Sequence, residues 1–179
     1  MSRVRIVGGQ WRSRLLEVAA VPGLRPTPDR VRETLFNWLG QDLDGQHCLD
    51  LFAGTGILGF EAASRGTATV VLIEHDPRAL AALHKAAQAL HASQVEIVRG
   101  DAVRFVRTTP RTFDGVFLDP PYRQGWLERV APWLDRVVRP GGWLYVEAEA
   151  AVEHLGDWHT VKRGRAGQVH FHLMRRSQA

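Results

Sequence analysis

From about residue 47 onward the chain alternates short β-rich runs with helical segments, and this alternation restricts the fold more than any other feature. Cys48–Phe52, Val70–Glu74, Val95–Arg99, Val116–Asp119 and Trp143–Glu147 read as strands. Between them lie a helix opening at Gly56, one from Pro77 to Leu90 with Asp76 as N-cap and Pro77 at N1, and one carrying Leu127, Val130, Leu134 and Val137. Strand and helix in alternation build βαβ units, so the expected sheet is parallel with helices on both faces. The end departs from this pattern. Val161–Arg163, a Gly164-Arg165-Ala166-Gly167 turn and the alternating Val169, Phe171 and Leu173 predict a terminal hairpin with an antiparallel last strand. The expectation is an α/β, Rossmann-like, mostly parallel seven-stranded sheet.

At 179 residues one domain is the default, divided into an N-terminal extension, 1–45, and a core, 46–179. An apolar share of 45% and a charged share of 23% exclude disordered, collagenous and coiled-coil classes. No uncharged run approaches the ~18 residues needed to cross a bilayer, and Met1-Ser2-Arg3-Val4-Arg5 leads into no apolar h-region. The single Cys48 excludes an intramolecular disulfide and an all-Cys zinc site, and fits a reducing compartment. A cytoplasmic protein is expected.

In the extension, Val4 to Arg12 reads as a hairpin with Gly8-Gly9 as its two-residue turn. That register sets Val7 against Gln10, Arg5 against Arg12 and Arg3 against Arg14, so four arginines share one face. Arg25-Pro26-Thr27-Pro28-Asp29 then leads into a helix with Thr27 as N-cap, Pro28 at N1 and Val31, Leu35, Trp38 and Leu39 on one side. Residues 1–32 hold seven arginines against Glu17 and Asp29, and residues 158–179 hold five basic residues and no acid. Basic ends around a balanced middle point to a polyanionic partner.

The first chemical motif runs from Asp50 to Gly59, Asp-Leu-Phe-Ala-Gly-Thr-Gly-Ile-Leu-Gly: a strand, a glycine turn and a helix. Glycines at such a turn let a ligand approach the backbone in front of the helix N-terminus. Glu74, at the end of the next strand, stands where an acid binds a ribose. Taken alone this admits NAD as well as S-adenosylmethionine. Asp50, inside the first strand, can face a cationic cofactor, and Gly100-Asp101-Ala102 offers a polar group to an adenine; both favour S-adenosylmethionine. The second motif, Asp119-Pro120-Pro121-Tyr122, ends the fourth strand, which would place it across the ligand crevice from the glycine turn. The Asp119 carboxylate and the Pro120 carbonyl can each accept an N–H of an exocyclic base amine, orienting its nitrogen. The two prolines stiffen that carbonyl and remove competing donors, and Tyr122 can stack on the base.

Paired with Asp50 to Gly56, this tetrapeptide resembles the amino-methyltransferases of the class I S-adenosylmethionine-dependent fold. Arg5-Ile6-Val7-Gly8-Gly9-Gln10-Trp11-Arg12, Leu24-Arg25-Pro26-Thr27 and Asp29 to Asn37 narrow the resemblance to the RsmD family, bacterial small-subunit ribosomal RNA guanine-N2 methyltransferases that modify guanine 966 in the usual 16S numbering. It extends over nearly the whole chain. It implies Asp119, Pro120, Pro121 and Tyr122 as catalytic residues, and Asp50, Phe52, Ala53, Gly54, Gly56, Glu74, His75, Asp101 and Ala102 around S-adenosylmethionine. Arg3, Arg5, Arg12, Arg14, Arg25, Thr27, Arg32, Lys162, Arg163 and Arg165 would meet the RNA. The expected partner is ribosomal RNA in a partly or fully assembled small subunit, with the protein a monomer, no membrane and no metal.

The residues leave rivals standing. A DNA adenine or cytosine amino-methyltransferase uses the same tetrapeptide but needs a target-recognition domain larger than the extension. A protein glutamine methyltransferase needs no basic ends, an NAD-dependent oxidoreductase no Asp119 to Tyr122, and an RNA-binding module no cofactor crevice. His170 and His172 share a strand face without nearby metal ligands, and Cys48 reads as core.

Overall fold

The computed structural model describes residues 2–177. A small sheet, β1 (Arg3–Arg5) with β2 (Leu15–Glu17), precedes α1 (Asp29–Leu39). The core follows as β3 (His47–Asp50), α2 (Ile57–Ser64), β4 (Thr69–Glu74), α3 (Pro77–Leu90), β5 (Val95–Arg99), α4 (Ala102–Thr108) and β6 (Phe113–Leu118). Then come α5 (Trp126–Val130), a 3₁₀ turn at Ala131–Trp133, α6 (Leu134–Val137), β7 (Val138–Ala148), β8 (His154–Leu155), β9 (Trp158–Ala166) and β10 (Val169–Arg176). The main sheet runs in the order β5-β4-β3-β6-β7-β10-β9-β8. Strands β3 to β7 are parallel and β10 is antiparallel to both its neighbours. Among the described residues no helix is long and apolar enough to cross a membrane.

Local chemistry accounts for the elements. Helix α3 begins where predicted: Asp76 accepts from the amides of Arg78 and Ala79, and Pro77 occupies the first turn. The sheet has eight strands rather than seven because the two-residue β8 pairs with β9. The helix expected over Leu127–Val137 is broken at Pro132, whose missing amide leaves a 3₁₀ turn between α5 and α6. Helix α4, absent from the sequence reading, is capped by Asp101, whose carboxylate accepts the Arg104 amide at 2.9 Å. The terminal hairpin turns at Gly167-Gln168, where Val169 pairs with Ala166, and not at Gly164. Gly164 lies inside β9, paired with Phe171, and a side chain there would strike the Phe171 ring.

Alternation along the strands divides the core. Cys48, Val70, Leu72, Phe117, Trp143 and Tyr145 face α1, α2 and the extension. Leu49, Leu51, Val71, Ile73, Val116, Leu118 and Val146 face α4, α5 and α6.

The extension is built differently from the predicted hairpin. β1 pairs with β2 so that Arg3 faces Glu17, Val4 faces Leu16 and Arg5 faces Leu15, and no arginine ladder forms. The intervening loop closes through Ile6 N–H to Arg14 O at 2.9 Å and Ser13 N–H to Ile6 O at 2.8 Å. Gly8-Gly9 is a docking point on α2. Amides of Val7 and Gly8 donate to the Glu61 carboxylate at 2.9 and 3.0 Å, and Gln10 donates to Ser64 O at 2.8 Å. A Cβ at Gly9, with φ +77°, would collide with the Ser64 carbonyl. The loop amides find better partners on α2 than across a tight turn, and the register follows from that.

Arg32, expected at the RNA surface, is fully buried. Its guanidinium donates to Thr27 O at 3.0 Å, Arg5 O at 2.7 Å, Glu61 Oε1 at 2.8 Å and Asp29. Arg65 approaches the second Glu61 oxygen at 3.3 Å. Thr27 does not cap α1. Pro28 occupies the cap position, and the Thr27 hydroxyl donates to Glu147 at 2.8 Å.

Candidate active site

A cavity of about 670 Å³ opens at the C-terminal ends of β3, β4, β5, β6 and β7. Strands β3 and β6 are hydrogen-bonded neighbours whose connections leave in opposite directions, the switch point at which open α/β sheets bind ligands. Phe52, Ala53, Gly54, Glu74, His75, Asp101, Ala102, Asp119, Pro120, Pro121 and Tyr122 share its wall. Asp50 and Gly56 are not on that wall. Gly56, at φ +80°, is required by packing, since a Cβ would strike Leu83 and Phe60.

The glycine turn is held by Glu74. One carboxylate oxygen accepts the Gly54 amide at 2.9 Å, and the other accepts the amides of His75 and Asp76, each at 2.9 Å. The acid thus fixes the turn while its carboxylate borders the cavity. Asp101 spends one oxygen on the α4 cap, which leaves the other for a ligand. Asp50 is buried without a well-formed hydrogen bond to either oxygen. Burial pushes its carboxyl up to about 7, with Glu74 and Glu147 adding to the rise and the amides of Gly59 and Phe52 opposing it.

Asp119 stands in an acidic setting. Burial first, then the charge of Glu147 and a hydrogen bond with it, and then Asp50, hold the Asp119 carboxyl well above the usual carboxylate range. Tyr122 is exposed over the cavity, and partial burial beside Asp119 and Glu147 raises its phenol to about 12. Pattern reading misses Glu147, yet a lone acid in the apolar run Leu144-Tyr145-Val146-Glu147-Ala148 is a signal of its own, because such a group needs partners. It also misses Trp126, which lines the cavity edge-on to Phe52 with ring centroids 5.6 Å apart.

The basic residues separate into distinct groups. Arg25 lines the cavity mouth and is exposed. Lys162, Arg163 and Arg165 lie exposed on β9, whose hairpin turn falls at the crevice end of the sheet, where Val169 joins the cavity wall. Arg163 is engaged by Glu153 at 2.6 Å and Arg165 by Gly167 O at 2.9 Å. Arg3, Arg5, Arg12 and Arg14 are exposed on the extension. Arg32 is fully buried and away from the surface, whereas Thr27 is buried on the cavity wall with its hydroxyl on Glu147. His172 is structural: its ring meets Val146 O at 2.9 Å and accepts the Val152 amide at 3.0 Å. Cys48 is buried in the core, as expected. The described residues hold no cluster of side chains suited to a metal ion.

Strand order and a crevice of this composition define a Rossmann-like methyltransferase of class I. The family described as Conserved hypothetical protein 95 matches residues 4–175. Ribosomal RNA small subunit methyltransferase D of Escherichia coli K12 is 42% identical, over 97% of this chain and 90% of that protein. The Haemophilus influenzae protein of the same name is 39% identical, over 95% of this chain and 92% of its own. The solved structure of yhhF from Escherichia coli superimposes with a TM-score of 0.88 at 40% identity, covering 99% of this chain and 100% of that one. The chain belongs to the ribosomal RNA small subunit methyltransferase D family.

Proposed function

We propose that the protein transfers a methyl group from S-adenosylmethionine to the exocyclic N2 amine of a guanine in small-subunit ribosomal RNA, guanine 966 in the usual 16S numbering. The observation that carries this reading is the Asp119-Pro120-Pro121-Tyr122 loop on the wall of the same cavity as Gly54 and Glu74. The names of the relatives support ribosomal RNA as substrate, and the N-terminal sequence pattern supports the N2 amine.

The residues fit the cofactor. The cavity has the size of a small-molecule site, roughly 300–1,000 Å³. Gly54 lies on the cavity wall at φ +55°, where a Cβ would also press on the Leu24 side chain at 2.9 Å, so the turn calls for glycine beside the ligand space. Glu74 would accept the ribose hydroxyls, Asp101 would meet the adenine amine, and Phe52 with His75 and Ala102 would enclose the rest. S-adenosylmethionine, when bound, supplies a methyl group on a sulfonium that is already a leaving group. The protein's task is then to position the amine. Asp119 and the Pro120 carbonyl accept its two N–H bonds and direct the nitrogen lone pair inward. Tyr122 stacks on the base, a contact worth ~1–3 kcal/mol. The methylated nitrogen is acidic enough to lose its proton without a strong base.

Arg25 on the cavity wall and Arg165 and Lys162 exposed on β9, with Arg3, Arg5, Arg12 and Arg14 on the extension, would contact phosphates of a partly or fully assembled small subunit. In this reading the protein is a cytoplasmic monomer. The test is transfer from labelled S-adenosylmethionine to total RNA, protein-depleted small subunits and DNA, followed by nucleoside analysis. N2-methylguanosine in small-subunit RNA is the expected product; a methylated adenine, or label in DNA alone, overturns the reading. Asp119→Ala should lower transfer by about a hundredfold or more and leave cofactor affinity nearly intact, because Asp119 touches the amine and not the sulfonium. Normal turnover in that variant would remove Asp119 from the clamp.

A further inference from the structure

Asp119 does not face its substrate alone. Leu118 of β6 is in register with Val146 of β7, so Asp119 and Glu147 follow as neighbours at the crevice end of two parallel strands. Phe117 and Tyr145, one pleat back, point to the same side of the sheet, and that shared direction brings the two carboxyls together. Glu147 is 4% exposed, and one of its oxygens accepts the Thr27 hydroxyl at 2.8 Å and the Tyr145 hydroxyl at 2.6 Å.

We infer that Glu147 is the positioning residue of the amine clamp: held by Thr27 and Tyr145, it binds the inner oxygen of Asp119 through one shared proton and leaves the outer oxygen for the target amine. This rests on the methyltransferase reading above. Two carboxyls in one partly desolvated site do not both ionise readily, and a proton shared between them relieves the repulsion. Two hydroxyls already donate to Glu147, which makes it the acceptor, and the elevated carboxyl of Asp119 makes Asp119 the donor between them. The groups that face Asp119 are Glu147 and Tyr145 from β7, Asp50 from β3, Tyr122 from its own loop and the uncharged Thr27 from the segment before α1. The anchored proton stops the carboxyl from rotating, so its free oxygen is aimed before the base arrives. Thr27, expected to contact RNA, instead ties the extension to the catalytic loop through Glu147.

The test uses the full-length protein with S-adenosylmethionine and small subunits lacking the modification. Single-turnover rates are followed from about pH 5 to 10, where the two ionisations of a coupled pair show as separate limbs. In the unmodified protein the rate should fall on the alkaline side as the shared proton leaves. Glu147→Gln should abolish that limb and lower the neutral-pH rate by about tenfold, with cofactor affinity by calorimetry changed less than about twofold. Thr27→Val, which removes one donor and keeps Glu147, should move the acid limb to higher pH, and it serves if Glu147→Gln does not fold. Carboxyl NMR of the cofactor-free protein reads the pair without turnover: the Asp119 signal should titrate well above the usual carboxylate range, and fall toward it in Glu147→Gln. Unchanged pH profiles and an unmoved Asp119 titration would overturn the inference. Failure of the protein to methylate small-subunit RNA would overturn the functional reading instead, and the NMR titration would still decide the pairing.

Discussion

Two buried carboxylates, Glu61 and Glu147, are satisfied in opposite ways. Glu61 receives two backbone amides and the guanidinium groups of Arg32 and Arg65, so charge and hydrogen bonds are both met from within the protein. Glu147 receives two neutral hydroxyls and has Asp119 and Asp50 nearby, so an excess of acid remains around it. A carboxylate paired by cations has no capacity left for a ligand and acts as a clasp between segments. An acidic group without cations keeps lone pairs free and holds the neighbouring Asp119 carboxyl above its ordinary range, which are properties a catalytic crevice uses.

The clasp should break first. Arg32→Ala leaves Glu61 with part of its charge unpaired in the core, and the protein should lose about 3–5 kcal/mol of stability. Urea denaturation measures this; an unchanged midpoint would mean that Arg65 alone satisfies Glu61. On the acidic side, burial raises Asp50 to about 7, so the folded state resists its ionisation. Stability is therefore full below the unfolded carboxyl value and declines as pH rises through about 7. Asp50→Asn should remove this loss, changing the difference between pH 4 and pH 8 by about 2–4 kcal/mol. Equal pH dependence of thermal unfolding in both proteins would show that Asp50 ionises freely.

Glu74→Ala should weaken S-adenosylmethionine binding by ~1–3 kcal/mol, since the ribose acceptor and the support of the glycine turn disappear together. Calorimetry with unaltered affinity would detach Glu74 from the cofactor. The smallest effect is expected at the exposed arginines near the crevice. Arg25→Ala with Arg165→Ala should leave stability within about 0.5 kcal/mol and reduce the log–log salt slope of RNA binding by up to ~2, one unit per phosphate contact. An unchanged slope would move the RNA path toward Arg3, Arg5, Arg12 and Arg14.

How far these regions can be read from the chain follows the same division. The glycine turn, the cap of α3 and the Asp-Pro-Pro-Tyr loop are written in adjacent residues, and the parallel sheet brings them to one crevice without further instruction. The roles of Arg32 and Thr27 depend on partners in α2 and β7, and composition does not distinguish an arginine facing water from one facing Glu61. Gly8-Gly9 has the signature of a tight hairpin turn, but Glu61 and Ser64 capture its amides. Helix α4 is missed because Val103, Phe105 and Val106 suit a strand as well as a helix, and Asp101 draws attention as a ligand rather than as a cap. Glu147 has no partner near it in the chain; Asp119 lies one βα unit earlier.

The position of β10 bears on how the chain reaches its native state. It is made after β9, yet it lies between β7 and β9, with residues of β7 from Trp143 to Ala148 paired to it. Until β10 enters, β7 has an unpaired apolar flank and β9 has no place in the main sheet. During synthesis the molecule would therefore carry an adhesive edge until its last strand arrives. Removing residues 169–177 would make that condition permanent and take Phe171, Leu173 and Met174 out of the core, so the truncated protein should self-associate through β7.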